Sequence, residues 1–297
     1  DFVEIKQKIT RRIEIPEEQY VLNRSVIEQT NAVLKDYDSL MCDVDIQLGT
    51  QTVYPALTSM TRIFSRGDMK LGGRFYSSIQ TMKSEARKYL RIDGDPVIEV
   101  DYSSIHPTML YDYEQQLMNG DPYSIDGFAR SDVKVAFNIM LNRNGGVSQT
   151  SAANTIAEEI HCSKEDAELL EQAIFEKHKS LSKYFNSDSG LKLQRQDSKL
   201  ALYILKHFTQ TLKRPIIMIH DSAIVSVRDT ESLILTMKEA YETVIKDKHN
   251  FSSSFKAIKA DSLDFPIGLK ELVLRSFEGS LSGDDYKKEY WDTCIKE

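Results

Sequence analysis

Hydrophobic and polar positions along the chain fall into two periods, and these predict the elements. Val21, Val26, Ile27, Val33 and Leu34 recur at helical spacing, so residues 1–57 read as helical, without recognisable chemistry. The run Pro96-Val97-Ile98-Glu99-Val100-Asp101-Tyr102 is β-rich and predicts a strand, followed by a helix over 105–116 with Pro107 near its first turn. Helices are also predicted over 132–141, 164–179 and 191–212. The last of these presents Leu193, Leu200, Leu202, Ile204 and Leu205 as an apolar face. Beyond Pro215, residues 216–219 and 223–227 are short β-rich segments separated by His220-Asp221-Ser222, the pattern of a hairpin with a polar turn. An amphipathic helix over 230–248 follows, and 252–254 and 276–285 read as loops. The mixture predicts an α+β chain without internal repeats.

Composition narrows the function classes. The 297 residues carry 38 Lys+Arg against 45 Asp+Glu, a net charge of −7, which excludes a generally basic, histone-like binder. With 41% hydrophobic residues the chain can bury a sizeable core in one large or two ordinary domains, and dominant disorder is excluded. No apolar run approaches the roughly 18 to 20 residues of a membrane-spanning helix. The start, Asp1 to Lys6, has neither an initiator Met nor the features of a secretory signal, so the expectations are a continuation within a longer chain and a reducing, cytosolic setting. Cys42, Cys162 and Cys294 are far apart, which argues against disulfides and thiolate zinc and leaves buried, inert thiols as the reading.

Locally the charge reverses. Residues 62–93 hold eight basic side chains (Arg62, Arg66, Lys70, Arg74, Lys83, Arg87, Lys88, Arg91) against three acidic ones, interleaved with Phe64, Phe75, Tyr76 and Tyr89. That is the composition of a surface that neutralises phosphates and stacks on bases; a solvated charged face is the alternative.

Phosphoryl transfer from a nucleoside triphosphate asks little covalent work of a protein: carboxylates to hold divalent cations, and cationic side chains for the remaining charge. Asp101, at a strand end, and Asp221, in a hairpin turn, supply such oxygens if their strands are neighbours. Either alone reads equally as a helix cap or a turn residue. Between them, Arg130 and Lys134 are four apart and share a helix face able to grip a triphosphate.

The order of these segments resembles the polymerase domain of family A DNA polymerases and the related single-subunit phage-type RNA polymerases. Val100-Asp101-Tyr102-Ser103-Ser104-Ile105 is similar to motif A, Arg130-x-x-x-Lys134 to motif B and Ile219-His220-Asp221-Ser222 to motif C. Gly73-Arg74-Phe75-Tyr76 resembles the Gly-Arg segment that meets the primer-template, and Gln194-Arg195-Gln196-Asp197-Ser198 the Gln-containing helix beside the duplex. Over residues 62–227 the chain is most similar to the stripped-down A-family-like polymerases and primases of bacterial mobile elements, such as those of staphylococcal cassette chromosomes. There are departures. His106 stands where family A enzymes carry a Glu that blocks the ribose 2′-hydroxyl, Asn138 and Asn142 stand where aromatic residues stack on the bases, and Ser222 replaces the Glu after the motif C Asp.

The resemblance implies a right-hand architecture: an antiparallel-sheet palm with small helical fingers and a reduced N-terminal or thumb region. Its divisions are 1–57 (accessory or reduced thumb), 58–129 (palm with motif A), 130–190 (fingers with motif B) and 191–297 (palm with motif C and a C-terminal tail). It implies a DNA-directed nucleotidyltransferase, a DNA polymerase acting as a primase, in the cytoplasm of a bacterial, viral or mobile-element host. In that reading Asp101 and Asp221 bind two Mg²⁺, with Mn²⁺ as a substitute, and Arg130 and Lys134 hold the triphosphate. His106 gates the sugar, while Arg74, Gln196 and His220 contact the primer-template. Partners would be template and primer DNA, nucleoside triphosphates and a small accessory protein supplying DNA contacts, with no membrane. Two rivals stay open: a single-subunit RNA polymerase, favoured by His220-Asp221-Ser222 and the missing Glu, and a noncatalytic nucleic-acid-binding scaffold on a degenerate palm, favoured by Asn138 and Asn142.

Overall fold

The computed structural model describes residues 3–8, 11–13, 15–143, 152–245 and 258–259. The chain is a mixed α+β protein built on two sheets. In the first, the order is β2 (Arg11–Ile13), β1 (Val3–Lys8), β5 (Thr61–Ser65), β6 (Asp68–Tyr76), with β1 parallel to β5 and the other pairs antiparallel. The second is antiparallel throughout: β4 (Gln51–Thr52), β3 (Ile46–Leu48), β7 (Leu90–Ile92), β8 (Asp95–Asp101), β10 (Ser222–Ser226), β9 (Ile217–Ile219), with β11 (Ile258–Lys259) also pairing with β8. The first 57 residues are therefore not helical throughout. Four short strands flank α1 (Glu17–Met41): β2 and β4 pair with their neighbours β1 and β3, and these in turn pair with β5 and β7 across sequence separations that local periodicity does not register. Helix α1 buries Ile27, Thr30, Val33, Leu34, Tyr37 and Met41, one stripe at three- and four-residue spacing.

The remaining helices are α2 (Ser84–Arg87), α3 (Ile105–Tyr113), α4 (Arg130–Asn142), α5 (Ala153–Ile160), α6 (Lys164–Lys177), α7 (Ser189–Lys206) and α8 (Thr230–Val244). Helix α7 packs against β6, α8 and α4, and α8 backs β8 and β10. Helices α4, α5 and α6 form a separate helical layer in mutual contact. Beyond α7 the coil widens into a π-helical turn over His207–Leu212 before Pro215. One apolar core runs from Val33 and Tyr37 on α1 through Val100 and Ala223 to Phe137 and Leu170, and a smaller cluster gathers Ile27, Phe64 and Met69.

A bulge aims β6. The register jumps from Ile63 opposite Arg74 to Phe64 opposite Gly72, leaving Gly73 as the extra residue. Gly73 has φ +84°, and a Cβ there would lie 2.7 Å from the Phe64 ring. Only glycine meets both demands.

Three expectations are corrected. Cys42 is exposed and Cys162 half-buried, so neither is a buried thiol; Cys294 lies outside the described residues, as do the two loops expected late in the chain. Of the interleaved aromatics read as a stacking surface, Phe64 and Phe75 are core residues, while Tyr76, one step along the strand from Phe75, faces outward at 37% exposure, as strand alternation requires. The basic segment is also not a free phosphate-neutralising surface. Arg62 is fully buried, donating to the Gly73 carbonyl (2.9 Å), Thr30 (2.9 Å) and Ser198 (3.2 Å) between the rings of Phe64 and Phe75. Arg66 is paired with Asp188, Arg74 with Asp197 and Arg87 with Glu99. Half of the eight basic side chains are thus committed to internal contacts with residues elsewhere in the chain.

Candidate active site

Strand β8 ends at Asp101, directly opposite Ser222, the first residue of β10, so Asp101 and Asp221 are neighbours at one end of the central antiparallel pair. Asp221 occupies a two-residue turn with His220, whose φ of +56° is a left-handed conformation costing a non-glycine residue about 1 kcal/mol or more. The turn is held from behind. Ser222 Oγ donates to Glu99 (2.7 Å), and Glu99 receives two hydrogen bonds from Arg87, both 2.9 Å. The Ser that departs from the family A pattern therefore locks the hairpin onto β8. On the far side, Tyr102 lies beneath the site, 6% exposed, its hydroxyl donating to the Met237 carbonyl of α8.

After Asp101 the chain turns sharply. Ser104, at φ +49°, starts α3, and its carbonyl accepts from both the backbone N–H (3.0 Å) and the hydroxyl (2.9 Å) of Thr108. His106 thereby falls in the first turn of α3, with Nε2 3.1 Å from Asp197 on α7. Arg74 of β6 binds the same carboxylate, with Nε 3.1 Å from Oδ2. Burial works against the Arg74 charge, but the hydrogen bond and charge of Asp197, with the field of Asp221, more than compensate and raise its pKa. His220 goes the other way. Burial first, then the positive charge of Arg74, lowers its pKa against the opposing pull of Asp221 and Asp197, so it is neutral near pH 7. Its Nδ1 is buried and without a hydrogen bond among the described residues, and the ring meets Tyr76 edge-on at 5.6 Å.

These residues open onto a cleft of about 310 Å³ lined by Asp101, Asp221, Arg74, His106, Tyr123 and Gln194 and, on the α4 side, by Lys134, Asn138 and Asn142. The last three are four apart and so form one stripe of the helix. Lys134 is exposed and has no salt bridge among the described residues. Asn142 donates to the Asn138 carbonyl (2.8 Å) where α7 approaches so closely that a Cβ on Gly190 would lie 2.0 Å from its Oδ1.

Six of the eight site residues expected from sequence are brought together here: Asp101, Asp221, Lys134, His106 and Arg74 line the cleft, and His220 adjoins Asp221. Two are not. Arg130 lies one turn before Lys134, outside the lining, in an ion pair with Asp121 and over the Tyr123 ring at 5.3 Å. Gln196 accepts from Lys199 (3.0 Å), and it is Gln194 that reaches the cleft. Sequence reasoning missed Asp197, Glu99 and Tyr123. For Asp197 a signal existed, because it falls on the apolar stripe Leu193, Asp197, Leu200, Ile204 of α7, where a carboxylate requires buried partners.

As a donor set, Asp101 and Asp221 offer only hard oxygens, which fit Mg²⁺ completed by phosphate and water. Among the described residues no group of three or more His, Cys, Asp or Glu forms a closed metal cage, and no helix is long and apolar enough to cross a membrane.

No protein-family model and no curated protein sequence matches the chain. Among solved structures, it is similar to the POL domain of Pol1 from M. smegmatis in complex with DNA primer-template and dNTP, with 12% sequence identity and a TM-score of 0.38 over 75% of this chain and 49% of that one. The chain thus spans about half the length of that domain.

Proposed function

We propose that this chain is a template-directed nucleotidyltransferase of the A-family type, a small DNA polymerase acting as a primase, with the β8–β10 sheet as palm and α4 to α6 as small fingers. The observation that carries this reading is the register that sets Asp101 beside Asp221 at the mouth of a cleft whose opposite wall carries Lys134. Two carboxylates and a cation without a salt bridge among the described residues, lining one polar cleft, suit a triphosphate with its metal ions.

In this reading Asp101 and Asp221 hold two Mg²⁺, for which Mn²⁺ can substitute. When bound, the ions neutralise triphosphate charge and acidify the attacking hydroxyl. The chain's own residues do the rest. Lys134 draws the triphosphate to the α4 wall, and Arg130 joins it by exchanging Asp121 for phosphate. His106, fixed by Asp197, flanks the sugar. Arg74, Gln196 and neutral His220 face the primer-template side, and an accessory protein supplies DNA contacts that a chain of net charge −7 lacks. The cellular setting is cytoplasmic.

A second reading, RNA synthesis, draws on His106, which stands where family A enzymes carry the Glu that blocks a ribose 2′-hydroxyl, and on the His220-Asp221-Ser222 turn. Extension on single-stranded DNA, with and without a primer, with dNTPs or rNTPs and Mg²⁺, tests both readings. Product that disappears in Asp221→Ala supports the transferase, and the sugar used decides between the two.

A further inference from the structure

A carboxylate on the apolar stripe of a helix is accounted for by its partners. Asp197 of α7 is 3% exposed, and both of its partners belong to the cleft wall. Arg74 binds it as a fork, with Nε 3.3 Å from Oδ1 and 3.1 Å from Oδ2, and Nη2 on Oδ2 as well. His106 brings Nε2 to 3.1 Å from that same Oδ2. Arg74 is delivered to this point by the β6 bulge, because it follows Gly73 directly, and His106 by the first turn of α3. One buried carboxylate thus fixes two side chains that arrive from different elements.

This contact decides where the Arg74 charge goes. Arg74 lines the same cleft as Asp101 and Asp221, the field of Asp221 acts on its guanidinium, and its own charge acts on His220 beside Asp221. A guanidinium is a forked donor that seeks carboxylates. Without Asp197, the carboxylates left to it among the cleft-lining residues are Asp101 and Asp221, whose hard oxygens suit Mg²⁺. With Asp197 ionised, Arg74 is neutralised by its own partner, and Asp101 and Asp221 keep their negative charge for cations. With Asp197 neutral, the same wall sets a positive charge against them.

Resting on the reading of Asp101 and Asp221 as the cation ligands of a nucleotidyltransferase, we infer that Asp197 is a positioning residue that holds and neutralises Arg74, so that the cleft takes divalent cations rather than its own arginine. An ion pair that merely joins β6 to α7 would behave differently: its loss lowers the melting temperature and leaves cation affinity alone.

The test is Mn²⁺ binding to the whole chain, followed by the decline of the free-ion EPR signal, in wild type, Asp197→Asn, Asp197→Ala and the double variant Asp197→Asn with Arg74→Gln, each shown to be folded by its melting temperature. The Asn variant keeps the shape and removes the charge; the Ala variant removes the acceptor as well. The expected result is about tenfold weaker Mn²⁺ binding in both single variants, the size of one added charge in a partly wet cleft, and recovery to within about twofold of wild type in the double variant, where the released cation is gone. Unchanged affinity in both single variants overturns the inference. So does a double variant as weak as Asp197→Asn, because the loss then belongs to Asp197 itself and not to Arg74. Nucleotide addition separates this from the transferase reading: a wild type that binds Mn²⁺, loses it in Asp221→Asn and adds no nucleotide overturns that reading, while the order of the affinities still decides the role of Asp197. A wild type with no Mn²⁺ affinity that depends on Asp221 overturns both.

Discussion

Acid should weaken this protein through one buried histidine. His178, fully buried at the end of α6, has its Nε2–H donating to the Pro122 carbonyl (3.0 Å) and its Nδ1 accepting from the Tyr111 hydroxyl (2.8 Å), with the Phe137 ring 5.1 Å away. Both nitrogens are spent on the neutral form. Burial is the main cause that lowers its pKa to about 4, with Lys177 adding to it and the Pro122 bond opposing. Between pH 6.5 and 4 the unfolded chain is protonated and the folded one is not, so the unfolded state binds more protons and stability falls as pH falls. The gap of about 2.5 units at about 1.36 kcal/mol each gives roughly 3 kcal/mol, most of it already lost at pH 4.5, out of a typical domain's total of about 5 to 15 kcal/mol. His178→Gln removes the titration. Urea unfolding of both proteins at pH 7.5 and 4.5 isolates it, because His220 and every carboxylate cancel in the difference. The wild type should lose about 2 to 3 kcal/mol more than the variant over that interval. If the two lose stability in parallel, to within about 0.5 kcal/mol, His178 is not held neutral by its burial and the reasoning is wrong. Since the same imidazole fixes the carbonyl before Tyr123, loss of the native form at low pH should remove that wall of the cleft with it.

Two further perturbations follow from the packing and charge around α4. Gly190→Ala places a methyl against Asn142 and should cost about 1 to 3 kcal/mol in thermal unfolding; Asn142→Ala in the same chain should restore most of it, and a strictly additive double mutant would show that the two positions do not touch. Asp121→Asn removes the counter-ion of Arg130. Because that pair is largely exposed, stability should change by less than about 1 kcal/mol while the KM for nucleoside triphosphate falls several-fold at low salt; an unchanged KM would mean that Arg130 does not reach the triphosphate.

The parts of the fold that were legible in sequence are those with strong local periodicity. Helix α4 was expected over 132–141 and found as Arg130–Asn142, and α7 was expected to end before Pro215 and does, through its π-helical turn. The hairpin around Asp221 was legible from two short β-rich runs, although Ser222 belongs to the strand, where its hydroxyl is bound to Glu99. The short strands β1 to β4 were not, because β1 and β3 are anchored by partners, β5 and β7, distant in sequence, and β2 and β4 are only three and two residues long. Nor was the fate of the basic segment, since charge counts say nothing of whether Arg62 is buried or Arg74 faces Asp197. Helical phase explains the exchange of Gln196 for Gln194: two residues apart on α7 means opposite sides, and only the side shared with Asp197 meets the cleft.

The central claim, that Asp101 and Asp221 form one reaction centre, is tested most directly by Mg²⁺-dependent nucleotide addition in wild type, Asp101→Asn and Asp221→Asn, each shown to be folded by its melting temperature. The isosteric amides keep the β8–β10 register and remove the charge. The account predicts product from the wild type, and a loss of about a thousand-fold or more, some 4 kcal/mol of transition-state stabilisation, in each variant. Folded amide variants that add nucleotides at the wild-type rate, or a wild type inert on every template with every nucleotide, would contradict it.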